Sequence, residues 1–452
     1  MENSLFVYEA FRISDDRKTV DLKYTSNVGL QVYEFTETYV FPVSLPDTLE
    51  TYRLLRALHL IGGISYYKTF INKDVEHPYA MSTKEAAFWN TVYKNGLGEF
   101  LLVNKLESSR LAEFTPQEGQ DTKTTVHAPL TEKALLGIGG GKDSIVAGEL
   151  LKAINMPLTG FVLTTAGAAG QTKAVAKTMK IDLTTVERHI DKSLLEIQET
   201  EGAYKGHVPI SVFFALVGSL MAVALKHKYV IVANEASASI PRAHWEGNSI
   251  NHQWSKSFEF EKMMQDYIHS YVSADMWYFS AIRPLTSVAV AKIFSHYPQY
   301  FEYFTSDNYA FRVSKDARPP ERWSLESPKS LSSFILLSAW LSEADLHIIF
   351  GRNFLAEPSL EEMFFSLTGI SGDQPLDCVG TPEELRASLG EAYRKGTFKD
   401  SILMLTGLHY DIIAKDHVLE PSAEKFLKVS SEQSFPPSIS DALVSKITEV
   451  IV

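Results

Sequence analysis

The sequence predicts an α/β protein: a doubly wound, mainly parallel sheet with an N-terminal α+β domain and a mainly helical C-terminal region. From Thr131 onward, short apolar runs alternate with segments of helical period, as repeated βα units require. The first of these runs ends in Gly137-Ile138-Gly139-Gly140-Gly141-Lys142-Asp143-Ser144, a glycine loop between strand and helix. The chain has 452 residues, 45% of them hydrophobic, enough for two or three domains with a sizeable core.

Taken in order, residues 5–42 alternate in strand fashion (Val20, Leu22, Tyr24, then Tyr33, Phe35, Tyr39), with Asn27-Val28-Gly29 as a turn. Glu37 interrupts the second apolar row. The expectation is an antiparallel ribbon or meander. Helices take over after Pro46: Leu54, Leu58, His59, Leu60 and Ile61 lead into Gly62-Gly63, and 85–106 reads as one further helical stretch. Residues 116–127 are polar and aperiodic, a linker closing a first domain over 1–128.

The second domain, 131–310, holds predicted strands at 134–138, 160–164, 183–188 and 229–233, with helices at 144–154, 170–179 and 210–225 between them. The uncharged stretch 208–225 is read as a helix buried against the sheet rather than a membrane span. Ile282-Arg283-Pro284-Leu285 and a helix through Lys292 close this domain. The region 311–452 is predicted helical, at 331–346, 360–367, 382–393 and 399–408, with Thr381 as a helix N-cap. Ligands of parallel sheets bind at the carboxyl ends of the strands, which gathers the glycine loop, Thr164-Thr165 and Asn234-Glu235 around one crevice.

Composition narrows the function. The balance is acidic, 43 Lys plus Arg against 55 Asp plus Glu, with no basic run, which argues against a nucleic-acid partner. The single cysteine, Cys378, excludes a disulfide framework and a cysteine metal cage. Charges throughout the first 42 residues give no signal peptide, and a cytoplasmic, membrane-free protein is expected. In the glycine loop, backbone N–H groups and a helix N-terminus converge as they do on phosphate; Lys142 adds charge and Ser144 a hydroxyl. The Walker pattern fails at Asp143 and Leu136, and the dinucleotide pattern fails at Lys142 and Ser144. Residues 234–256 form a long polar loop leaving a strand at the ligand edge, where substrate and catalytic groups commonly lie.

Gly139-Gly140-Gly141-Lys142-Asp143-Ser144 resembles the pyrophosphate loop of the N-type ATP pyrophosphatases. Further blocks resemble one family, the ATP-dependent epimerases that convert UDP-N-acetylmuramoyl-L-alanyl-L-glutamate to the D-glutamate form. These are Leu58 to Lys68, Gly96-Leu97-Gly98-Glu99-Phe100, Asn251-His252-Gln253-Trp254-Ser255-Lys256-Ser257 and Leu376-Asp377-Cys378-Val379-Gly380-Thr381. The resemblance implies ATP and Mg²⁺, with carboxylate adenylation, release of PPi, exchange of the α-proton and hydrolysis to AMP.

It further implies that Gly139, Gly140, Gly141, Lys142 and Ser144 hold phosphates beside Thr164 and Asn234. Asp143 is then a magnesium ligand or a helix cap, and Glu235 a metal or ribose ligand. Arg242 and Lys256 suit an anionic substrate. His244 and His252 are the leading acid–base pair; Cys378 is either one thiol of the inversion or a packed residue. Tyr66, Tyr67 and Lys68 are candidates for shaping the substrate pocket. The alternatives are another adenylating enzyme, an ammonia-dependent amide synthetase or a tRNA-modifying enzyme, and a non-catalytic nucleotide-binding module. With Glu2 at the second position, no N-terminal-cysteine glutaminase is expected. Arg322 to Ser330 resembles a Trp-Cys-x-x-Cys-Pro-Lys-Cys segment with serine at 324, 327 and 330, a poor donor set for zinc.

Overall fold

The computed structural model describes residues 4–117, 126–165, 170–307, 322–372, 374–410, 412 and 422–452. Most of the expected linker, 118–125, and the start of the expected C-terminal region, 311–321, lie outside the described residues.

Nine strands form one sheet: β1 (Ser4–Ile13), β2 (Thr19–Val28), β3 (Gln31–Val40), β4 (Asp74–Glu76), β5 (Thr131–Gly137), β6 (Leu158–Thr164), β7 (Asp182–His189), β8 (His227–Val232) and β11 (Trp277–Ser280). A separate small ribbon pairs β9 (Ala243–Trp245) with β10 (Asn248–Ile250). The large sheet runs β11-β8-β5-β6-β7-β3-β2-β1-β4. From β11 to β7 every pairing is parallel; β3, β2 and β1 continue the sheet antiparallel from β7, and β4 pairs parallel with β1. The N-terminal meander is therefore an extension of the same sheet.

Side chains alternate across the parallel strands, and the sheet separates two cores. Ala134, Leu136, Tyr229, Ile231 and Phe279 face one core with the helices Lys142–Ala153, Ser287–Ser295 and Pro328–Ser338. Leu135, Val230 and Tyr278 face the other, with the helices Leu49–Gly62, Ile210–Leu225 and Phe258–Tyr271. Helices thus cover both faces, as near-continuous apolar strands require. The uncharged helix Ile210–Leu225 is buried against the sheet, and a Cβ at Gly218 would lie 3.1 Å from Val230. No helix among the described residues is long and apolar enough to cross a membrane.

Four expectations change in the structure. Glu37 does not weaken its strand: it is fully buried, and Arg188 of β7 donates to its two oxygens at 2.9 and 3.0 Å. The polar residue in an apolar row is one half of a buried pair. The stretch 85–106 is two helices, Thr83–Gly96 and Gly98–Asn104, and 331–346 is divided between Pro328–Ser338 and Glu343–Phe350. Tyr66, Tyr67 and Lys68 are buried and border neither lobe of the cleft described below, the two tyrosines packing in the second core and the Lys68 charge acting on His207. Their tyrosine hydroxyls accept backbone N–H bonds from Asp191 at 3.2 Å and Ala112 at 2.7 Å. The glycines before them serve packing, since a Cβ at Gly63 would meet the Tyr8 ring at 2.4 Å.

Candidate active site

β5 has β6 on one side and β8 on the other, so the chain reverses its direction of travel across the sheet between β5 and β8. At such a switch point the loops after adjacent strands diverge and leave a crevice. A two-lobed cleft lies there. The larger lobe, about 520 Å³, is lined by the ends of β5, β6 and β8, by Gly139, Gly141, Asp143 and Ser144, and by Thr164 and Thr165. The smaller is lined by Lys142, Glu235, Gln253, Lys256, Lys329 and Cys378. Asp143, Asn234, Lys256, Ser306 and Lys329 border both lobes.

The larger lobe is built around the start of helix Lys142–Ala153. Its N-cap, Gly141, makes no side-chain capping bond, so first-turn N–H groups point at the cleft with the positive end of the helix dipole. Gly140 has φ +86°, a conformation that favours glycine. A Cβ at Gly141 would lie 2.8 Å from Ser306 Oγ, whereas one at Gly139 would project into open space. Ser144 Oγ donates to Gly141 O at 3.0 Å, bracing the loop.

Lys142 Nζ donates to Asp143 Oδ1 at 2.5 Å and stands 3.9 Å from Glu235 Oε2. Burial opposes its charge, but the Asp143 and Glu235 carboxylates outweigh burial and raise its pKa. Burial raises the pKa of Glu235 against the pull of Lys142; its Oε1 accepts from Ser287 Oγ, and its Oε2 is buried without a hydrogen bond. Ser306 Oγ is likewise buried and unpartnered. An open cradle at Gly139, the helix N-terminus, one lysine and the unpartnered Ser306 hydroxyl fit a polyphosphate. Asp143 and Glu235 supply the oxygen donors that Mg²⁺ prefers.

The smaller lobe centres on Cys378. Its loop is fixed from four directions. Asp377 Oδ1 accepts the Cys378 N–H at 2.7 Å, Ser332 Oγ accepts the Gly380 N–H at 3.2 Å, and Arg242 donates to Val379 O and Gly380 O. A capping box, Thr381 with Glu384, starts the helix Pro382–Lys395 immediately after. Glu384 Oε1 also accepts from Ser237 Oγ at 2.7 Å and the Ser287 N–H at 2.8 Å, tying this loop to the one that follows β8.

Lys256 Nζ donates to Cys378 Sγ at 3.0 Å. His252 lies within 4.8 Å of the same sulfur, and its Nδ1 donates to Glu99 Oε2. His207 Nδ1 stands 3.4 Å from the same Glu99 oxygen. Burial raises the Cys378 pKa, but the Lys256 and Lys329 charges and the His252 hydrogen bond overcome it and bring the thiol down to about 6. Burial lowers His252, and its bonds to Cys378 and Glu99 more than reverse this, to about 9. His207, with burial dominant, is pushed down to about 4. Both shifts favour a thiolate beside an imidazolium.

The structure gathers Gly139, Gly141, Lys142, Asp143, Ser144, Thr164, Asn234, Glu235, Lys256 and Cys378 along one cleft, with His252 behind the thiol and Gly140 supplying the loop's turn. Two expected residues go elsewhere. His244 is exposed on the β9–β10 ribbon, with Ser249 Oγ 3.4 Å from its Nδ1, and borders neither lobe. Arg242 also borders neither lobe; its guanidinium positions the Cys378 loop. Ser324, Ser327 and Ser330 are buried, and Asp307 Oδ2 accepts from the Ser324 N–H at 2.7 Å and Ser330 Oγ at 3.1 Å. Glu99, Glu384, Ser306 and Lys329 emerge only from the fold. Glu99 and Lys329 lie inside segments whose wording already stood out, but nothing in the sequence ties Ser306 to the glycine loop.

A glycine loop and an activated thiol facing one cleft at the switch point of an α/β sheet define an enzyme. Residues 1–281 match the MurL N-terminal domain and residues 303–417 the MurL C-terminal domain, so the chain belongs to the MurL family. It is similar to the UDP-N-acetyl-alpha-D-muramoyl-L-alanyl-L-glutamate epimerase of Xanthomonas oryzae pv. oryzae, 29% identical over 386 residues, covering 85% of this chain and 84% of the relative. The protein of the same name from Salinispora tropica is 29% identical over 411 residues, 89% of this chain and 87% of the relative. No solved structure gives a significant match.

Proposed function

We propose that the protein inverts the terminal L-glutamate of UDP-N-acetylmuramoyl-L-alanyl-L-glutamate in the cytoplasm, with ATP and Mg²⁺, through an N-type ATP pyrophosphatase domain. The family membership and the relatives' names support the substrate. One observation carries the chemistry: the phosphate-type lobe and the thiol lobe share Asp143, Asn234, Lys256 and Lys329, so one bound carboxylate can meet both.

The α-proton beside an ionised carboxylate is a very weak acid, because its removal puts a second negative charge next to the first. ATP would supply an adenylyl group that masks the carboxylate charge and lets the acyl carbonyl accept the α-carbon's electrons. Gly139, Gly140, Gly141, Lys142 and Ser144 would hold the polyphosphate, with Asp143 and Glu235 holding Mg²⁺ and Thr164 and Asn234 flanking the nucleotide. Lys256 and Lys329 offset the charge of the glutamate carboxylates at the junction of the lobes.

The test is one incubation with ATP, Mg²⁺ and the L-glutamate substrate in D₂O, following AMP, PPi and the α-carbon. AMP with deuterated D-glutamate is expected. AMP and PPi without deuterium would overturn the epimerase reading in favour of another adenylating enzyme.

A further inference from the structure

We propose that Cys378 is the proton-transfer group on one face of the glutamate α-carbon, with Glu99 and His252 as the residues that position and charge-balance its thiolate. This inference rests on the epimerase reading above. Cys378 reaches the cleft in the lobe that also holds the unpartnered Glu235 Oε2 and the ammonium groups of Lys142, Lys256 and Lys329. Its sulfur accepts from Lys256 at 3.0 Å and has His252 within 4.8 Å. Behind it, Glu99 accepts from His252 Nδ1, fixing the ring beside the sulfur. Glu99, His252 and Cys378 come from three separate parts of the chain.

The chemistry balances without an oxidant or a covalent adduct. The thiolate takes the α-proton: an S–H bond forms, the C–H bond breaks, and its electron pair moves into the activated acyl carbonyl. A protonated side chain on the opposite face then gives up its proton, the electron pair returning from the carbonyl to form the new C–H bond, and in the reverse direction the thiol is the donor. Since the chain has one cysteine, the group on the opposite face is not a second thiol of the same chain. Lys256 and the His252 imidazolium hold the sulfur anionic before the proton arrives.

Two measurements on the intact chain test this. The first is alkylation by iodoacetamide across pH, read by mass spectrometry at Cys378. A midpoint near about 6 is expected. Glu99→Gln or His252→Gln should move that midpoint to higher pH, and alkylation below it should slow about tenfold for each pH unit it moves. A wild-type midpoint in the ordinary thiol range, or variants that leave it unmoved, overturns the positioning role. The second is deuterium exchange at the α-carbon per AMP formed. Cys378→Ser and Cys378→Ala should each lower this ratio about 100-fold or more. A wild-type ratio in both variants overturns the inference and leaves the epimerase reading standing. AMP formation without exchange in the wild type overturns both.

Discussion

Protonation of two side chains sets a pH window for the site. The lowered Cys378 pKa makes the thiolate available above about 6, and the raised His252 pKa keeps the imidazolium present below about 9. The groups facing them are Lys256, Lys329 and Asp377 around the sulfur, and Glu99 and His207 around the ring. Exchange of the α-proton should therefore rise through about pH 6 and fall through about pH 9, and a profile measured at saturating ATP checks both limbs. At the other lobe, Lys142→Ala removes a charge-assisted contact worth roughly 1.5–3 kcal/mol. A loss of about 10- to 100-fold in kcat/KM for ATP is the expected result in a steady-state assay of AMP formation. Lys142, Asp143 and Cys378 are readable as chemistry-bearing residues in the sequence. His244 and His252 look equivalent there and are not, because imidazoles eight residues apart can lie on opposite sides of a hairpin. Only the fold places one against Glu99 and the other in solvent.

Strands and helices of the parallel half are legible because their periodicities are long and clean. The helix Ile210–Leu225 coincides with its expected span, and Gly170–Met179 does too. Strand β11 escapes such a reading: its Trp277-Tyr278-Phe279-Ser280 is four residues long, too short for any period to register. The glycine loop as an element carries its own prediction. Because Gly140 sits at φ +86°, Gly140→Ala should strain the loop by roughly 1–2 kcal/mol. Weaker nucleotide binding, measured by calorimetry, is the expected outcome. The Cys378 loop depends on a different element, since Arg242 holds two of its carbonyls. Arg242→Ala should lower α-deuterium exchange more than it lowers AMP formation, a ratio read from a single D₂O time course.

For the whole molecule, the meander and the parallel strands meet at the β3–β7 seam, where Glu37 and Arg188 are buried together. Removing one partner strands the other charge in the interior, so Glu37→Ala should cost about 3–5 kcal/mol in urea unfolding. The sequence showed Glu37 only as a flaw in an apolar row; its partner lies 151 positions away, and no local pattern reports that distance. The seam also bears on how the sheet ends. β3 pairs with the last three residues of β7, Glu187, Arg188 and His189, so the meander continues the sheet from that end of the strand. With the meander in place, the sheet finishes in β4 on one side and β11 on the other, three and four residues long. Strands that short give an incoming chain little to template on. The sheet order thus ends on both sides in a strand too short to seat a long incoming partner.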